Sequence, residues 1–109
     1  MLAECNRDDS TLVVELQERR LDSSIASLFH QYVSASIDDD VRSLILDLST
    51  LEFINSSGLG AVVAIKKERS AQLSIKLCFN NHDVRNVFKL TTMDSVFEIY
   101  EDVPAARAV

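Results

Sequence analysis

The segment Leu44-Ile45-Leu46-Asp47-Leu48 constrains the fold most. A strand with one wet face alternates apolar and polar residues. This run barely does so, a pattern that fits a central strand covered on both faces. The flanking sequence supplies further strands and the helices to cover them. Leu2–Asn6 reads as a first strand, Asp8-Asp9-Ser10 as a turn, and Thr11–Leu16 as a β-branched second strand. Asp22 or Ser23 is placed to cap a helix whose apolar stripe is Ile25, Leu28, Phe29, Tyr32 and Val33. After the central strand, a second helix runs from Ser57 with Leu59, Val62 and Val63 inward and Ile65 near the edge of the stripe. Lys66, Lys67 and Arg69 suit the negative end of its dipole. Ser74–Phe79 forms the next strand, Asn80 or Asn81 caps a third helix with Val84, Val87 and Phe88 inward, and Val96–Tyr100 is the last strand.

The resulting order, β-β-α-β-α-β-α-β, predicts an α/β fold. Strands joined through helices form a mostly parallel central sheet, with an N-terminal strand beside it and helices covering it. A chain of 109 residues, 47% apolar, supports one hydrophobic core. No linker, repeat or low-complexity tract divides it, so residues 1–109 read as a single domain, with a short C-terminal tail from about residue 103.

Composition excludes several functions. The net charge is −6, and residues 1–54 carry eleven acidic against four basic side chains. An acidic half repels phosphate backbones, which argues against direct nucleic-acid binding. No window approaches the roughly 18 apolar residues of a membrane helix, so no membrane insertion is expected. The start, Met1–Asp9, lacks the basic and apolar segments of a secretion signal, so the cytoplasm is the expected compartment. Cys5 and Cys78 stand far apart, and neither they nor His30 and His82 fall at metal-ligand spacing. Asp38-Asp39-Asp40 reads as a solvated turn, since adjacent carboxylates do not converge on an ion without further ligands. Neither a metal nor a cofactor is expected.

The chemistry concentrates in Asn55-Ser56-Ser57-Gly58-Leu59-Gly60, which holds both glycines of the chain. It lies where a strand gives way to a helix, at the end of the sheet where α/β proteins meet ligands and partners. A helix N-terminus stabilises an anion, so the Ser56 hydroxyl is placed to carry a phosphoryl group of about −1.5 to −2 charges. The plainer alternative is that Ser56 or Asn55 caps the helix and that the glycines let it approach the sheet. A P-loop is disfavoured, for the Gly-Lys-Ser/Thr ending is missing, and Gly-x-Ser-x-Gly is absent too. No constellation of acid, base and nucleophile is displayed, so the chain reads as a non-enzyme.

Val41–Ser49 followed by Phe53-Ile54-Asn55-Ser56-Ser57-Gly58-Leu59-Gly60 resembles the STAS domain of anti-sigma factor antagonists. Leu21-Asp22 and the stretch from Val84 to Ile99 extend the resemblance over nearly the whole chain. It implies partner switching. The unphosphorylated protein binds an anti-sigma factor with serine kinase activity, phosphorylation at the position of Ser56 ends that binding, and a serine phosphatase reverses it. The implied partner-binding residues are Ser49, Asn55, Ser56, Ser57 and Gly58, with the exposed side of the following helix. The nucleotide belongs to the kinase. Three positions depart from the family pattern: Asn55 stands where Asp is usual, and Arg20 and Gln72 lie close to places that often hold Gly. A second implied role is that of a non-phosphorylated STAS subunit in a lipid-transport ATPase complex.

Overall fold

The structure is a computed structural model that describes residues 1–108. Strands β1 (Ala3–Asp8) and β2 (Thr11–Leu16) form an antiparallel hairpin. Asp9 takes a left-handed conformation at the turn, which Asp tolerates better than most residues. From β2 onward the main sheet is parallel. Strands β4 (Ser43–Asp47), β6 (Ser74–Cys78) and β7 (Glu98–Tyr100) follow in the order β1-β2-β4-β6-β7. The expected mostly parallel sheet with its N-terminal strand is therefore present. A small second sheet, which the sequence reading did not anticipate, pairs β3 (Arg20–Leu21) with β5 (Phe53–Ile54) in parallel.

Helices α1 (Ala26–Ser36), α2 (Ser56–Arg69) and α3 (His82–Leu90) cover one face of the main sheet. Leu12, Val14 and Leu16 of β2, Leu44 and Leu46 of β4 and Ile75 and Leu77 of β6 meet Phe29, Val33, Val62, Ile65, Val84 and Phe88 there. Phe79 and Phe88 stack at 4.9 Å between ring centroids, and Phe97 meets Phe88 edge-on at 6.1 Å. Two details of the expected stripes change. Ile65 is buried while Val63 is half-buried, and Leu28 is 56% exposed on the outer side of α1. Neither Asp22 nor Ser23 caps α1 with its side chain. The Asp22 carboxylate instead accepts from the Ser24 N–H and hydroxyl, closing a turn ahead of the helix, and the Asp22 carbonyl accepts from Ile25 and Ala26.

The opposite face explains why β4 does not alternate. Residues from about 103, expected as a tail, form helix α4 (Val103–Arg107), which lies against Val13, Ile45 and Cys78 with Ala106 fully buried. Asp102 caps it by accepting from the Ala105 N–H at 2.9 Å, and Lys76 Nζ donates to the Ala106 carbonyl at 3.0 Å. A helix of five residues with Pro104 in its first turn gives almost no periodic signal, which is why it reads as a tail.

Candidate functional site

The chain between β4 and α2 builds the site. Asp47 ends β4 and is only 9% exposed. Its carboxylate accepts from the Ser49 N–H at 3.0 Å and from the Ser49 hydroxyl. These bonds reverse the chain after the strand, and a further turn closes where Leu51 N–H donates to Leu48 at 3.0 Å. Glu52 and Phe53 then both donate to the Arg19 carbonyl, which starts the β3–β5 pairing and carries the chain to Asn55. Phe53, 38% exposed, lies under the Arg20 guanidinium, 4.0 Å from its ring centroid.

Asn55 settles which residue caps α2. Its backbone is extended, and its side-chain oxygen accepts from the Gly58 N–H at 3.1 Å. Ser56 is therefore the first helical residue and its hydroxyl is not spent on the cap. Ser56 and Ser57 are both exposed, and neither hydroxyl has a partner among the described residues. Their N–H groups belong to the first turn, where no intrahelical acceptor exists, so the end of α2 presents the positive pole of its dipole to solvent. Asn at the cap in place of Asp keeps the hydrogen bond and removes one negative charge beside Ser56.

Gly58, placed by sequence at the partner surface, is buried. A Cβ there would stand 2.0 Å from the Leu21 carbonyl oxygen and 2.9 Å from Leu21 Cγ. The same carbonyl accepts the Asn55 N–H at 3.3 Å. Gly58 thus lets α2 start directly against β3, and its contribution to the site is positional. Gly60 has nothing within 4 Å of a built Cβ.

Four of the five sequence-chosen residues, Asn55 to Gly58, form one continuous turn, and Ser49 lies in the preceding one, held by Asp47. The Arg20–Phe53 contact is the feature sequence reasoning missed. The two-residue strands that create it are too short to carry a period. His30 is engaged elsewhere, its Nε2 lying 3.0 Å from both Glu68 carboxylate oxygens, between α1 and α2. Among the described residues no cluster of His, Cys, Asp and Glu has the arrangement of a metal site. Cys78, beneath α4, is buried, and desolvation together with the Asp47 carboxylate beside it pushes its thiol up to about 12. No helix among the described residues is long and apolar enough to cross a membrane.

A parallel sheet with one antiparallel edge strand and a capped helix start at its carboxyl end define the class of the molecule: a small α/β binding module. The STAS domain sequence pattern matches residues 3–106, and the chain belongs to that family of anti-sigma factor antagonists. As a STAS domain it is a regulatory module and not an enzyme. It is 32% identical over 89 residues to BtrV of Bordetella bronchiseptica, a protein named as an anti-sigma factor antagonist, with 81% of this chain and 77% of that protein covered. The crystal structure of an anti-sigma factor antagonist from Mycobacterium paratuberculosis is similar with a TM-score of 0.87 at 25% identity, over 98% of this chain and 92% of the other. The Bacillus cell fate determinant SpoIIAA in its phosphorylated form shares the fold, with a TM-score of 0.64 at 22% identity over 90% of each chain.

Proposed function

We propose that this protein is an anti-sigma factor antagonist working in the cytoplasm by partner switching, with Ser56 as the switch. In the unmodified state the surface formed by Ser49, Asn55, Ser56 and Ser57 holds an anti-sigma factor with serine kinase activity, and the sigma factor is released. Transfer of a phosphoryl group to the Ser56 hydroxyl ends the association, and a serine phosphatase restores it. Regulation of transcription is indirect, and the chain itself contacts neither nucleic acid nor membrane. The kinase brings the nucleotide.

One observation carries this reading. Because Asn55 takes the cap, the Ser56 hydroxyl is exposed and unpartnered at the first position of α2. A phosphoryl group there gains roughly 0.3–1 kcal/mol from the helix pole, so the modified chain tolerates its own charge. A partner seated on that turn instead meets about −1.5 to −2 new charges in contact with its surface. The names of the relatives support the role, and SpoIIAA lends support as a protein of the same fold that exists in a phosphorylated form.

The test is incubation with ATP and a cognate anti-sigma factor kinase. The expected result is one phosphate per chain, mapped by mass spectrometry to Ser56 and lost in Ser56→Ala. Phosphate on Ser57, or none from a kinase that is active on another substrate, refutes the assignment.

A further inference from the structure

The two edges of the main sheet differ. Strand β7 has only three residues, which leaves little edge to template another strand. Strand β1 has six, five of them exposed, with a continuous register and neither proline nor bulge to protect it. The Gln17 N–H donates to the Leu2 carbonyl at 2.8 Å, and the register continues this pair as Glu4–Glu15 and Asn6–Val13. In an antiparallel ladder hydrogen-bonded pairs alternate with open ones. Leu2, Glu4 and Asn6 therefore turn their backbone groups toward β2, and Ala3, Cys5 and Arg7 turn theirs outward along the free edge.

We propose that this edge pairs with the same edge of a second copy, antiparallel about a twofold axis at Cys5, joining two sheets into one. Side-chain charge selects the register. Centring on residue 4 sets Glu4 opposite the partner's Glu4, and centring on residue 6 sets Glu4 opposite the partner's Asp8. Centring on Cys5 sets Glu4 opposite the partner's Asn6, so no like charges face one another. Ala3, Cys5 and Arg7 then close about six backbone hydrogen bonds with the partner's Arg7, Cys5 and Ala3. The two Cys5 residues occupy a hydrogen-bonded pair, whose Cα separation of about 5.5 Å is within disulfide range. The exposed thiol of Cys5 makes that register directly readable. This contact is independent of the switch at Ser56.

The experiment is sedimentation equilibrium of the full chain under reducing conditions, with Asn6→Lys and Asn6→Glu beside the unmodified protein. Asn6 is exposed, so both variants fold, which circular dichroism verifies. A monomer–dimer equilibrium is expected. Asn6→Lys, facing the partner's Glu4, tightens it, and Asn6→Glu loosens it by on the order of tenfold, since the axis applies each pair twice. Diamide, which takes two protons and two electrons from a thiol pair, is expected to give a covalent dimer that Cys5→Ser abolishes. A monomer up to millimolar concentration, a dimer indifferent to the charge at residue 6, or one that diamide does not link through Cys5 overturns the proposal.

Discussion

Gly58 and Gly60 are two residues apart on one helix, and the structure assigns their replacement by alanine opposite signs. Either substitution removes backbone freedom from the unfolded chain and favours the helix by roughly 0.5–1 kcal/mol. At Gly60 nothing opposes this, for the space above the Cα is open. At Gly58 the new methyl stands 2.0 Å from a backbone oxygen, where a carbon needs over 3 Å. Leu21 cannot yield by rotating a side chain, because the clash is with its carbonyl, whose strand is hydrogen-bonded to β5. The start of α2 must therefore retreat by more than an ångström, stretching the Asn55-to-Leu21 bond and opening a gap beside Ile54. Overpacking of this kind costs about 1–3 kcal/mol, and against a rigid backbone the upper part of that range applies. After the helix gain, Gly58→Ala loses about 2 kcal/mol and Gly60→Ala gains up to about 1 kcal/mol. Urea unfolding followed by far-ultraviolet circular dichroism reads both. With a slope of about 1–3 kcal/mol per molar, the Gly58→Ala midpoint falls by roughly 1 M and the Gly60→Ala midpoint rises. A Gly58→Ala protein as stable as the unmodified chain refutes the close approach of α2 to β3.

Three further outcomes follow from particular residues. Thr92 is β-branched yet holds φ 59°, so Thr92→Gly stabilises the chain by about 1 kcal/mol in the same urea assay. Only Cys5 reacts with a thiol reagent in the folded protein, and deleting residues 103–109 uncovers Cys78, which then reacts at a rate approaching that of Cys5. The folded Cys78 thiol stays protonated up to about 12, whereas the unfolded one ionises near its ordinary value of 9.0. Its contribution to stability is thus complete below the unfolded value and is lost as pH rises through that interval. Urea midpoints are expected to fall more steeply above about pH 9 for the unmodified chain than for Cys78→Ala.

Legibility in the sequence tracked how much chain each feature occupies. The nearly unbroken run at Leu44–Leu48 announced a strand covered on both faces, and the alternation of strands with helices announced the mostly parallel sheet. Helix α2 was readable from its stripe and its basic end. The doubt between Asn55 and Ser56 as cap was not resolvable from sequence, since both residue types accept from a first-turn N–H. The two-residue strands β3 and β5 and the five-residue helix α4 escaped altogether. The β3–β5 pair and α4 owe their existence to tertiary contacts, Arg19 and Leu21 carbonyls for the first and the Val13–Ile45–Cys78 patch for the second. The unbroken run at β4 did imply a cover on its second face. What it could not show was that the cover comes from the segment that reads as a tail. The site was legible as a motif, while Gly58's confinement by Leu21 and the stacking of Arg20 on Phe53 needed the fold.

Calorimetric titration of the anti-sigma kinase with the unmodified chain, Ser56→Ala and Ser56→Asp tests the switch most directly. The account predicts similar affinity for the first two and, for Ser56→Asp, a loss of at least tenfold. Equal binding by all three proteins, each shown to be folded, contradicts it.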